Sequence, residues 1–160
     1  MAESIGVASA VRQYIQTHGF IDIPSHGTSM FPYIRQGDVC RFVKVVPMDV
    51  EIGDTILFRN ERNVLVGHRV IQRLARDGTS QFVCKGDANR LSDMPVEPDH
   101  LVGRMMAVSR GGRRMDERST LRRLWTWLIL EVPVVSYGCR MWVLQHRIWQ
   151  HHFVKLRHLK

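Results

Sequence analysis

The stretch Val64-Leu65-Val66-Gly67-His68-Arg69-Val70-Ile71-Gln72-Arg73-Leu74, followed by Arg76-Asp77-Gly78-Thr79 and Gln81-Phe82-Val83-Cys84-Lys85, decides the fold class. Two runs of β-branched and apolar residues flank a turn in which Gly78 can take a positive φ without steric cost, the signature of a β-hairpin. The same succession of β-rich run and turn punctuation extends outward to Phe20–Ile23, Val39–Val45, Thr55–Arg59 and Leu101–Ser109, with Gly-Asp and Arg-Asn steps between them. The expected fold is mainly β, a mostly antiparallel domain over residues 20–110. Before it, Ile5, Ala8, Val11 and Ile15 recur at helical spacing and Gly19 supplies a stop, so residues 1–19 are expected to form a short amphipathic helix packed on that domain.

The 160-residue length accommodates one globular domain and an appended element. With 44% hydrophobic and 24% charged residues the chain resembles an ordinary globular protein, which excludes wholesale disorder, collagen-like repeats and a polytopic membrane protein. Cys40, Cys84 and Cys139 are an odd, widely spaced set without a Cys-x-x-Cys pair, which argues against a disulfide framework and a zinc site. The first 25 residues carry Glu3, Arg12 and Asp22 and no sustained apolar run, so no secretory signal or N-terminal membrane helix is visible in them.

The net charge of +8 is divided unevenly. Residues 1–103 hold 11 Lys and Arg against 12 Asp and Glu, a net of −1, whereas residues 104–160 hold 12 against 3, a net of +9. All four tryptophans, Trp125, Trp127, Trp142 and Trp149, also fall in the second part. Residues 111–160 are therefore expected to be a basic, Trp-rich helical tail. Indole rings beside Lys and Arg suit an anionic lipid surface better than nucleic acid, and no nucleic-acid partner is expected. Within the tail, the segment 124–144 is largely apolar but contains Glu131, Pro133 and Arg140. A carboxylate near the middle of a span costs roughly 2.5 to 3.5 kcal/mol on insertion scales. Three readings stay open for this segment: an interfacial helix-break-helix, a membrane span, and a helix that packs on protein.

Three turns carry candidate chemistry. Gly27-Thr28-Ser29-Met30-Phe31-Pro32 exposes a serine after a strand, and a serine hydroxyl becomes a nucleophile only when a base takes its proton. Gly53-Asp54-Thr55-Ile56-Leu57-Phe58-Arg59 leads into His68-Arg69-Val70-Ile71, and an ordinary imidazole suits a general base at cellular pH. Lys85-Gly86-Asp87-Ala88-Asn89 with Asp93 offers two carboxylates able to orient that histidine. Each turn alone has a bland reading as an ordinary loop or a strand-face histidine.

In this order, and with Gly37-Asp38 behind the first turn and Val102-Gly103-Arg104 closing the series, the segments resemble the boxes of the type I signal peptidases over about residues 20–108. The resemblance is to the serine-histidine branch of archaea, the endoplasmic reticulum and sporulating bacteria. It implies a signal-peptidase-like β domain, a fold shared with self-cleaving repressors, and no cofactor. It also implies Ser29 as nucleophile, His68 as base and Asp93 as the acidic member, with Asp87 as the alternative, and the Ser29 backbone N–H as an oxyanion donor. Lys44, Lys85 and His26 are read as bystanders.

The implied activity is that of a serine endopeptidase cutting an extended signal or leader peptide after a small residue. Family members typically carry an N-terminal membrane helix, so here the expected attachment is the C-terminal segment, with a protease that trims small-peptide leaders on the cytoplasmic side as the alternative. A self-cleaving transcriptional regulator, a different class, would use lysine as base and needs a DNA-binding module upstream. Here 28 residues precede Ser29, and the base position holds His68.

Overall fold

Gly19, with φ of +82°, turns the chain out of helix α1 (Ala2–His18) and into strand β1 (Phe20–Pro24), a reversal that a side chain at this position would resist. The computed structural model describes residues 2–76, 79–116 and 119–157, with side chains for 6–75, 79–116 and 119–145. After β1 come β2 (Val39–Val43), β3 (Thr55–Arg59), β4 (Leu65–Arg76), β5 (Thr79–Lys85), β6 (Leu101–Arg110) and β7 (Arg113–Asp116). Helices α2 (Thr120–Glu131) and α3 (Pro133–Arg157) follow.

The strands form one seven-stranded antiparallel sheet in the order β1-β2-β6-β3-β4-β5, with β7 added to β6. The fold is mainly β, as expected, with one short N-terminal helix and two C-terminal ones. Asp77 and Gly78, the centre of the expected hairpin turn, lie outside the described residues; on either side of them Arg76 and Thr79 are register partners.

Strand β3 explains why Thr55–Arg59 reads as an unbroken apolar run: both of its faces are covered. Leu57 joins Ile15 of α1, Met30, Phe42 and Met105 in one core. Ile56 and Phe58 point the other way, into a second core with Val50, Val70, Phe82 and Val96. Helix α1 delivers Ala8 and Ile15 to the interior, which is the packing its periodicity implied.

The C-terminal part departs from its compositional outline in two ways. Residues 113–116, assigned to the tail by their charge, form β7, paired from Ala107↔Asp116 to Arg110↔Arg113 across Gly111 and Gly112, both at positive φ. The segment Arg113-Arg114-Met115-Asp116 has no apolar alternation to betray a strand. Secondly, α2 and α3 pack on the sheet domain, burying Ile129, Ser136 and Val143, while Leu121, Leu124, Trp127, Val134 and Tyr137 stay exposed. Among the described residues no single helix is long and apolar enough to cross a membrane. Thr120–Glu131 and Pro133–Gln145 pass that test only as a pair, bent by 99° at the break.

Candidate active site

Alternation along β4 sends Val66, His68 and Val70 toward the second core and Arg69 toward the opposite face. The His68 ring is buried, lies opposite Ile56 in the β3–β4 register and meets the Phe58 ring edge-on at 6.3 Å between centroids. From there Nε2 is 3.0 Å from Ser29 Oγ and Nδ1 is 2.7 Å from Asp93 Oδ2. An ionised carboxylate can only accept, so Nδ1–H donates to Asp93 and Nε2 is left to accept the Ser29 hydroxyl proton. Three residues from three separated segments thus form one hydrogen-bonded chain with the connectivity of a serine-histidine-aspartate triad.

The Ser29 loop is held by the third turn. Ala88 N–H donates to the Ser29 carbonyl at 2.8 Å. A Cβ on Gly86 would lie 2.7 Å from that same carbonyl oxygen and 2.8 Å from the Asn89 amide, so glycine is required where the two segments touch. Asp93 is brought back to the sheet by its own N–H, which donates to the Cys84 carbonyl at 2.8 Å. Within the described residues the Ser29 N–H makes no hydrogen bond, so it is available to an oxyanion.

Asp87, the alternative acidic candidate, has a different partner. Its carboxylate faces Arg69 in a bidentate pair, Nε to Oδ1 and Nη2 to Oδ2 both at 2.8 Å, with neither side chain exposed. Arg69 Nη1 donates to the Gly53 carbonyl and to Thr126 Oγ1, each at 2.9 Å, and Trp125 Nε1–H donates to Asp87 Oδ2 at 2.8 Å. Sequence reasoning missed Arg69, Trp125 and Thr126. Arg69 had a signal, a cation inside an apolar strand run, which demands a buried partner; the two tail residues had none.

The Gly37-Asp38 and Gly53-Asp54 steps are built alike and serve the frame. Gly37 and Gly53 take φ of +87° and +97°. Asp38 Oδ2 accepts the Arg35 N–H at 2.8 Å and Asp54 Oδ2 accepts the Glu51 N–H at 2.9 Å. Each aspartate then meets an arginine of β6: Asp38 a bidentate Arg110 at 2.8 and 2.6 Å, Asp54 the Arg104 guanidinium at 3.6 Å. Burial alone would push the Asp38 carboxyl up, but the Arg110 and Arg35 hydrogen bonds outweigh it and hold it below the usual carboxylate range.

The remaining candidates lie aside. Lys85 Nζ reaches Ser136 Oγ at 3.3 Å, and Lys44 and His26 are exposed. All three cysteines are free thiols; burial pushes Cys40 up to about 12, and Cys84 upward too, with the Asp93 charge adding to it. Among the described residues no group of three or more His, Cys, Asp or Glu side chains is arranged to hold a metal ion. No protein-family model matches the chain, and no curated protein matches it.

Proposed function

We propose that the protein is a serine endopeptidase of the signal-peptidase type, acting through Ser29, His68 and Asp93. The observation that carries this reading is the continuous relay at 3.0 Å from Ser29 Oγ to His68 Nε2 and 2.7 Å from His68 Nδ1 to Asp93. In the proposed reaction Ser29 Oγ attacks the scissile carbonyl and His68 Nε2 takes its proton. The Ser29 N–H donates to the oxyanion, and Asp93 keeps the ring oriented and balances the imidazolium. His68 then returns the proton to the leaving amine, and a water deprotonated by the same ring hydrolyses the acyl-enzyme.

The substrate under this reading is an extended signal or leader peptide with small side chains at the first and third positions before the cut. A membrane surface rich in anionic lipid is the proposed setting. It is supported by the net +9 over residues 104–160 and by the exposed Leu121, Leu124, Trp127, Val134 and Tyr137 on α2 and α3. The test is digestion of a peptide library whose members vary at those two positions, read by mass spectrometry. Cleavage after small residues by the wild type, and none by Ser29→Ala, is expected; cleavage by Ser29→Ala at the wild-type rate would overturn the reading.

A further inference from the structure

Of the polar contacts that helix α2 makes with the interior of the sheet domain, two end on the ion pair beside the candidate triad. Trp125 Nε1–H donates to Asp87 Oδ2, and Thr126 Oγ1 accepts from Arg69 Nη1. The Thr126 methyl occupies the space a Cβ on Gly53 would need, at 2.6 Å, so the turn before β3, the helix and the ion pair are fitted together without slack. From this pair the chain leads to the chemistry in both directions, by one covalent step from Arg69 and by one covalent and one hydrogen-bonded step from Asp87. Arg69 follows His68 on β4. Asp87 lies between Gly86, which abuts the Ser29 carbonyl, and Ala88, which donates to it.

A fully buried carboxylate and guanidinium hold a fixed geometry only when their remaining lone pairs and protons are satisfied. Asp87 Oδ2 accepts from both Arg69 and Trp125, and Arg69 Nη1 is divided between Gly53 and Thr126. Without the two helix residues, Asp87 loses one of its three donors and Arg69 one of its four acceptor contacts, in a site with no exposure to replace them with solvent.

We infer that Trp125 and Thr126 are positioning residues: α2 completes the Arg69–Asp87 pair and through it sets the Ser29 loop against His68. The inference rests on the endopeptidase reading, and it makes the C-terminal segment a working part of the active site rather than an attachment alone.

The test uses the full chain and two readouts. One is the rate at which a fluorophosphonate labels Ser29, in which Oγ bonds to phosphorus, fluoride leaves and His68 takes the proton; this reports nucleophile activation without a peptide. The other is the division of peptide kinetics between kcat and KM. Trp125→Phe keeps a ring and loses the donor; Thr126→Val keeps the shape and loses the acceptor; Thr126→Ser keeps the acceptor. Trp125→Phe and Thr126→Val are each expected to slow labelling and kcat about tenfold, ~1.4 kcal/mol of barrier, with KM and circular dichroism unchanged and the chain still folded at the assay temperature. Thr126→Ser is expected to react at the wild-type rate. Glu131→Gln, at an exposed position on the same helix, is expected to do so too.

Labelling and kcat within twofold of wild type in both Trp125→Phe and Thr126→Val overturn the inference and leave the endopeptidase reading standing. A loss in Thr126→Val that Thr126→Ser shares, or one that disappears when the assay is run well below the melting temperatures of wild type and variant, also overturns it, in favour of a purely structural helix. Should Trp125→Phe not fold, the Thr126 pair decides alone. A wild-type chain whose Ser29 takes no label overturns the endopeptidase reading, and the inference falls with it.

Discussion

His68 and Asp93 share a 2.7 Å hydrogen bond although 25 residues separate them, and the tie that makes it is the Asp93 N–H on the Cys84 carbonyl at the end of β5. Asp87, six residues nearer to the strand, is spent on Arg69. The two carboxylates of one turn therefore have different work, and substitution separates them. Asp93→Asn leaves an amide that cannot hold the productive imidazole tautomer. It is expected to lower kcat by roughly 10⁴-fold with little change in melting temperature. Asp87→Asn leaves Arg69 as an uncompensated buried charge, and its expected signature is lost stability, about 3 to 5 kcal/mol by urea denaturation. Equal stability losses in the two variants would show that the assignments are wrong.

Ser29→Ala and His68→Ala are each expected to lower peptide cleavage by at least ~10³-fold, and the double substitution to cost no more than either alone, because nucleophile and base act as one unit. Additive losses in single-turnover assays, with circular dichroism unchanged, would mean that the two residues act independently.

Asp38 gives a prediction on acid stability. Its carboxyl is held below the usual range in the folded protein. The ion pair with Arg110 therefore contributes stability at neutral pH that is lost as pH falls through the folded value. In urea titrations the wild type is expected to exceed Asp38→Asn at pH 7, and the gap to close on acidification. A gap that stays constant from pH 7 to pH 2 would exclude ionisation of Asp38 as its source.

Cys40 and Cys84 are buried thiols pushed toward high pKa. The thiolate is the reactive form, so both are expected to resist iodoacetamide at pH 8 in the folded chain and to react fully in urea, as counted by intact mass. Rapid modification of either one in the native protein would contradict its burial.

The exposed apolar side of α2 predicts lipid binding that can be removed without touching the active site. Flotation with anionic vesicles is expected for the wild type, and to weaken in 1 M salt as screening shortens its range. The triple substitution Leu121→Ser, Leu124→Ser, Trp127→Ser should float less while Ser29 labels at the wild-type rate. Undiminished flotation of that variant would move the lipid contact elsewhere.

Much of this architecture is legible in residue order. The hairpin run Val64–Lys85 announces β4 and β5, and the ordered segments bring Ser29, His68 and Asp93 forward because Ser29 and Asp93 stand in recognisable turns and His68 in a recognisable strand. What the sequence leaves open between Asp93 and Asp87 is a matter of tertiary partners: both lie in one polar turn, and only the buried Arg69 on the far face of β4 claims one of them. The docking of the C-terminal segment is hard to read from the sequence for a physical reason. Its charge and tryptophan content are averages over all faces of a helix, and they describe the exposed side. The side that docks meets the ion pair through a single indole N–H and a threonine hydroxyl, groups that leave no trace in hydropathy. Strand β7 is hidden in the same way, being four residues without apolar alternation that gain their identity from pairing with β6.

The pairing of Ile56 with His68 has a wider consequence. Side chains alternate along a strand, so sliding β4 by one residue against β3 would send the imidazole to the opposite face, with Arg69 in its place. A chain caught out of step would own every reactive group and still be inert. Under the proposed activity the completed sheet serves as its own safety catch: a polypeptide still emerging from the ribosome, or one that has folded wrongly, has no means of cutting its neighbours.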